Sequence, residues 1–397
     1  MSTASATVSK WTRRFVAAGA CFLVLWGLAA VAGLPRRTEV TLALFGFVFH
    51  TLFGKAYALV PSYFDRGLAF PHAPAVHLPL SVGGVAALAA AGLPRVPTAV
   101  AAAGALFWAT GVAVFLGTLA WTVRDNPTGA ETGTGDHDAD RRSVDRFANA
   151  AMPIAFAYLA LGSYALLAAH LPLPSPFDGY APRRTHLFAA GTAALLVFAI
   201  GFRLLPRLLV ASPPESLVAL ALPFGALAPL LLANTLPAGP FFRFGAAVET
   251  LAVVAYALAV LALVVESDRE RVGRYGVVAG ALFGVAVVGL GVQFAVAGLD
   301  PTLIASHYRF ALIGFLGLTI VGVAVQFYPP AVGEFPVDGD WIALGAMAGL
   351  GGGLVLDLFG RLAGLPAVAT AGLGIALLGA LSYAGLLFGI FRQRARR

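Results

Sequence analysis

Apolar residues run along this chain in long, nearly unbroken stretches separated by short polar ones. A helix needs about 20 such residues to cross the hydrocarbon of a bilayer. Twelve stretches of that length can be drawn. They are Phe15–Leu34, Val40–Val60, Val76–Leu93, Thr98–Val123, Ala148–Ala169 and His186–Leu205, then Leu217–Ala233, Phe242–Val265, Gly276–Val296, Tyr308–Tyr328, Trp341–Leu362 and Ala367–Phe391. In order they are spans 1 to 12. Each is about twice the length of a barrel strand, and lipid demands a backbone that satisfies its own hydrogen bonds. The pattern therefore predicts an all-α polytopic membrane protein with about 12 transmembrane helices.

Composition agrees. The 397 residues are 59% hydrophobic and 11% charged, with mean hydropathy +0.86, against roughly 25% charged for a soluble domain. The chain reads as a single transmembrane domain over 1–397 with no room for a soluble one. A net charge of +7 on a soluble protein would suggest nucleic acid. Here the basic residues flank apolar spans, so the bilayer is the expected partner and nucleic acid is not. The lone cysteine, Cys21, sits inside span 1 and can form no internal disulfide. Span 1 follows Lys10, Arg13 and Arg14, as a secretion signal would. It is longer than the apolar core of such a signal and is read as a retained helix.

Twelve spans put both termini on one side. The loops and tails of that side carry 16 basic residues, and the opposite loops carry 6. The positive-inside rule then places both termini in the cytoplasm of a multi-pass cell-membrane protein. The one long polar segment, 124–146, is rich in Asp, Gly and Thr and is read as a flexible cytoplasmic loop. Arginine outnumbers lysine 24 to 2, a prokaryotic-looking composition.

The spans repeat. Span 2 ends Gly54-Lys55-Ala56-Tyr57-Ala58-Leu59-Val60-Pro61. Span 6 ends Ala199-Ile200-Gly201-Phe202-Arg203-Leu204-Leu205-Pro206, and span 10 ends Gly322-Val323-Ala324-Val325-Gln326-Phe327-Tyr328-Pro329. In each, a small residue precedes a proline by seven positions. A small residue lets helices approach, and proline is expected to stop each helix. Pro61 and Pro206 are 145 residues apart, and Pro206 and Pro329 are 123 apart. The difference is about the length of the polar loop. This predicts three pseudo-repeats of four helices, over 11–123, 147–265 and 273–391. Two halves of six helices, as in major facilitator transporters, have only Phe64-Asp65-Arg66-Gly67 as a weak counterpart of those transporters' motif.

Three quartets with their special residues on the second helix resemble subunit I of the haem–copper oxidases, a superfamily that includes nitric oxide reductase large subunits and is similar to NnrS-type membrane proteins. The stretches that carry the resemblance are Thr185-His186-Leu187-Phe188-Ala189-Ala190-Gly191 running to Pro206, and Ser306-His307-Tyr308-Arg309 running to Pro329. The resemblance implies a copper histidine at His186 and a haem histidine at His307. It also implies a respiratory or electron-transfer partner. The chain departs from the family in three places. The second histidine of the family's His-x-His pair is Arg309. The low-spin haem histidine of the second helix has only Glu39 and Thr41 at the corresponding positions. The copper pair of the seventh helix is absent from Leu230-Leu231-Leu232-Ala233-Asn234-Thr235. A complete haem–copper centre is not encoded.

Intramembrane ionisable groups are costly and mark candidate sites. His186 and His307 open their spans on the non-cytoplasmic side, where neutral imidazoles could hold haem iron, copper or non-haem iron. Glu39 lies at the same depth as a third metal ligand, or pairs with Arg36 or Arg37. His170 ends span 5 on that side. Arg309 would meet a haem propionate if haem is present. His50 sits mid-bilayer, either hydrogen-bonded or as a weaker cofactor ligand. Lys55, Glu249 and Asp357 are buried charges, with Asp357 and Arg361 spaced as an i,i+4 pair. His72 and His77 are expected at the cytoplasmic interface. No phosphate loop, nucleophile elbow or metalloprotease motif occurs. The leading expectation is haem or a single metal between helices 6 and 10, for redox or small-gas (nitric oxide or dioxygen) handling. The alternatives are a transporter, or a structural or assembly subunit of a respiratory complex.

Overall fold

The computed structural model describes residues 3–396. Twelve helices in it are long and apolar enough to cross a membrane. They are α1 (Ser5–Val31), α2 (Arg36–Tyr63), α3 (Ala73–Ala90), α4 (Thr98–Thr122), α5 (Asp136–Ala168) and α6 (Ala181–Leu209), followed by α7 (Glu215–Thr235), α8 (Pro240–Glu266), α9 (Gly273–Ala297), α10 (Pro301–Phe327), α11 (Gly339–Leu362) and α12 (Pro366–Arg396). Several start earlier than the apolar pattern predicts. α6 and α10 begin at Ala181 and Pro301, so His186 and His307 lie one to two turns inside them. Their first turns are polar and short in hydropathy, yet proline at the start and the Asp300 side chain, which accepts from Thr302 N at 2.8 Å, favour helix there.

Three helices differ from the rest in burial. In α2, α6 and α10, 83%, 89% and 83% of the apolar core is buried, against 33–56% in the other nine. These three stand at the centre. Around them α1, α3–α4, α5, α7–α8, α9 and α11–α12 form an outer wall, closed where α12 packs on α1. Each quartet contributes its second helix to the centre, as the repeated prolines predict.

The inner helices share a local device. Each carries an eight-residue π-helical stretch, at Thr41–Val48, Leu187–Ala194 and Phe310–Gly317. Such wide turns are rare. Each holds a glycine fifteen residues before its proline, namely Gly46, Gly191 and Gly314. An aromatic side chain from the first helix of the same quartet packs against that glycine. A Cβ on Gly46 would stand 2.6 Å from Phe22, one on Gly191 2.7 Å from Tyr158, and one on Gly314 2.6 Å from Phe283. The ring seats join outer helix to inner helix the same way three times.

The prolines act less sharply than expected. Pro61 and Pro206 lie inside the last turns of their helices, which run on to Tyr63 and Leu209. Only Pro329 falls beyond its helix, which ends at Phe327. A proline near a helix end gives up one backbone bond, and the remaining turn is capped. Phe64 N donates to the Val60 carbonyl (3.1 Å), and Val210 takes a left-handed conformation after α6.

Filling a ring seat should cost stability. Gly314→Ala is expected to destabilise the chain by about 1–3 kcal/mol through overpacking. Gly345→Ala, on an open helix face, should be near neutral in the same thermal-unfolding measurement.

Candidate functional site

At the face opposite the termini, α2, α10 and α11 meet through charge. Arg309 donates from Nε to Glu39 Oε2 (3.0 Å) and from Nη2 to Glu39 Oε1 (2.8 Å), a bidentate pair. Its Nη1 donates to Asp357 Oδ2 (2.9 Å), and Asp357 Oδ1 accepts from Arg361 Nε (2.9 Å). The Tyr308 hydroxyl adds a bond to Glu39 Oε2 (3.0 Å). Glu39, Arg309 and Asp357 are 3%, 4% and 1% exposed. The result is a buried row of alternating charges with no net charge. Arg309 is thus neither a free propionate partner nor a snorkelling residue, and Glu39 pairs with it rather than with Arg36 or Arg37. The expected Asp357–Arg361 pair is present with Arg309 added.

Beside this row lie the two histidines expected to ligate. His186 Nδ1 donates to the Pro182 carbonyl (2.8 Å) of its own helix, which leaves Nε2 as the free lone pair. His307 packs edge-on to Phe294, 5.4 Å between centroids, and its Nδ1 is buried without a hydrogen-bond partner among the described residues. The imidazoles lie within electrostatic range of each other and of Arg36. His170 sits at the rim, where its Nε2 accepts from Arg37 Nη2 at 3.0 Å.

His50 lies elsewhere, between α2 and α3. Its Nδ1 donates to the Phe45 carbonyl (3.0 Å) and its Nε2 meets Ser81 Oγ (3.2 Å). Both ring nitrogens are engaged. His77, expected at an interface, is fully buried next to it, with Nδ1 3.1 Å from the Tyr57 hydroxyl and rings of Phe15, Phe53 and Phe115 around it. The tyrosine satisfies one ring nitrogen, and Nε2 is buried without a hydrogen-bond partner among the described residues. His72 is exposed, as expected.

A second charged cluster, not expected from the sequence, pins the other face. Arg203 of α6, 2% exposed, donates to the Tyr63 carbonyl (3.0 Å), Asn149 Oδ1 (2.7 Å) and the Thr132 carbonyl (2.8 Å). Asp145 faces its Nε at 3.4 Å and takes Arg207 Nη2 at 2.7 Å. Asn149 and Asn126 bind the backbone at Tyr63, Phe64, Gly129 and Glu131. These contacts fasten the polar loop to the end of α2. The available signal was an arginine three residues before Pro206 in an otherwise apolar stretch. Lys55 lines a cavity among the inner helices. Glu249 Oε2 is buried on α8 without a hydrogen-bond partner among the described residues.

No described protein family matches the chain, and no curated protein matches it in sequence. Among solved structures it is similar to a haem–copper terminal oxidase determined as a dimer by cryo-electron microscopy. The TM-score is 0.63 at 12% identity, covering 99% of this chain and 84% of the oxidase chain. The chain therefore has the twelve-helix fold of haem–copper oxidase subunit I.

Haem and copper belong to that oxidase by its description. The resemblance aligns the two low-spin haem histidines with Arg309 and with Glu39 or Thr41. Here the Arg309 guanidinium and both Glu39 oxygens are spent on each other and on Asp357. Further along, the Phe47 ring closes the gap between α2 and α10, 3.3 Å from where a Gly317 Cβ would stand. Among the described residues, no three His, Cys, Asp or Glu side chains gather to hold a metal ion. A low-spin haem held by both helices does not fit these residues, nor does a three-histidine copper site.

The rim contact is sensitive to acid. Burial, then the nearby Arg37 and Arg184 guanidinium groups, lowers the His170 pKa to about 4, below the ordinary 6.5 or so. A depressed pKa means that the contribution is whole above about pH 6.5 and is lost as pH falls through about 4. A histidine NMR titration should find His170 neutral at pH 6, with its midpoint raised in Arg37→Ala. A midpoint near 6.5 in the native chain would contradict this.

Proposed function

We propose that this chain is a membrane-embedded subunit or assembly partner of a respiratory complex that keeps the subunit I fold without a low-spin haem. The observation that supports it is the Glu39–Arg309 ion pair, at positions that the resemblance aligns with haem ligands. A buried bidentate pair joins two helices directly, so neither residue is available to iron. The excess of basic residues on the terminal side, 16 against 6, supports termini in the cytoplasm.

A second reading rests on the rim histidines. His186 has its Nδ1 anchored on a backbone carbonyl, and His307 has a buried nitrogen without a partner among the described residues. Two imidazoles suit one soft or borderline ion such as copper. On this reading His186 and His307 hold a single metal that supplies redox or small-gas binding chemistry, with Glu39 and Arg309 left as structural neighbours.

Metal analysis and an absorption spectrum of the purified full-length protein test both readings. The first predicts no Soret band and no stoichiometric iron or copper. The second predicts about one copper per chain, lost in His186→Ala and His307→Ala, again with no Soret band. A haem spectrum with one iron per chain would overturn the proposal.

A further inference from the structure

The outer wall closes where α12 packs on α1, and the two helices cross the bundle in opposite directions. They touch closely at Gly27, whose Cβ would stand 2.9 Å from Leu377. About four to five turns nearer the termini, α1 carries Lys10, Arg13 and Arg14, and α12 carries Arg392, Arg394 and Arg396. Neither helix contains an Asp or a Glu. Topology alone asks only for basic residues on this face. The loop between α8 and α9 supplies them interleaved with carboxylates, as Asp268-Arg269-Glu270-Arg271. The α1–α12 seam does not.

The crowding of like charge extends inward. Thr12 Oγ1 donates to the Gly54 carbonyl (2.8 Å), which sets α1 beside Lys55 of α2. The Lys55 ammonium rests over the Tyr328 ring at 4.3 Å, and the Arg394 guanidinium stands over the same ring at 5.5 Å. Their charges oppose each other, and Arg13 also acts on the Tyr328 hydroxyl. Ring faces attract a cation but do not neutralise it. Among the described residues none of Arg13, Lys55 and Arg394 pairs with a carboxylate. Arg13 donates to Ser9 Oγ of its own helix (3.0 Å), and Glu334, in the loop after α10, accepts from the Gln393 amide (2.5 Å).

Away from the termini the same two helices show apolar rows on their outer sides. Cys21, Leu25 and Leu28 are exposed on the α1 side that ends at Arg14. Leu378, Leu381 and Phe388 are exposed on the α12 side that ends at Arg392. Steps of three, four and seven residues keep each row on one side. Gly385, with open space over it, notches the second row. Each row is an apolar track capped by a guanidinium, the complement of an amphiphile with an anionic head.

We propose that the α1–α12 seam binds an anionic phospholipid, with its phosphate between Arg13 and Arg14 of α1 and Arg392 and Arg394 of α12. The acyl chains follow the two apolar rows. Lys55 stays on its rings and adds only its field. Basic clusters of this size beside a membrane attract anionic headgroups, and a phosphate here supplies the negative charge that neither helix encodes.

Thermal unfolding of the full-length protein tests this, in detergent micelles doped with phosphatidylglycerol or with phosphatidylcholine. Phosphatidylglycerol should raise Tm saturably by several degrees, and phosphatidylcholine much less. Arg392→Gln with Arg394→Gln, on the exposed last turns, should weaken the apparent affinity about tenfold or more. Arg13→Gln with Arg14→Gln should do the same, and either pair suffices if the other does not fold. Arg269→Gln with Arg271→Gln removes equal charge from the same face and should leave the affinity unchanged. Equal stabilisation by both lipids, or an equal loss in that control pair, would overturn the proposal. So would inorganic phosphate reproducing the rise at constant ionic strength.

Discussion

The Arg309 guanidinium is the constraint on which the arrangement depends. It is buried where α2, α10 and α11 meet, and a lone cation there would be prohibitive. It is tolerable only with Glu39 and Asp357 in place, and each of those is on a different helix. The three helix ends are therefore held in one register. Arg203 does the same at the other end of the bundle, where it binds the end of α2, the polar loop and α5 together. One guanidinium at each face pins the inner triangle.

Between the two pins the packing is apolar and repeats. Gly46, Gly191 and Gly314 each receive a ring from the first helix of their quartet. Phe45 meets Trp108 and Phe188 edge-on at 4.7 and 4.8 Å, which fills the space between the first two quartets. The inner helices are thus joined by side chains that use the whole depth of the bundle except the small axial cavity. A fold shared with a haem–copper terminal oxidase at 12% identity is here held together by ion pairs and rings.

The architecture was legible because its signals are local. Span length, twelve apolar runs and a proline recurring on every fourth helix depend only on nearby residues. The Asp357–Arg361 pair was legible for the same reason, being i,i+4. The partner of Glu39 was not, since Arg309 lies 270 residues away and no spacing rule reaches it. Arg36 and Arg37 are nearer in sequence, but Glu39 pairs with neither. The ring seats were hidden in a chain with 46 glycines, where one more glycine is no signal until its neighbour is known. His77 was misread because its partner Tyr57 is on another helix, and helix starts were drawn late because their first turns are polar.

The central claim is that α2 and α10 are joined directly through Glu39 and Arg309. A double-mutant cycle of Glu39→Gln and Arg309→Met, read as unfolding free energy in detergent, tests it most directly. Each single change should cost about 3–5 kcal/mol, because it strands a buried charge, and the double variant should lose less than the sum. Single losses below about 1 kcal/mol, or strict additivity, would contradict the account.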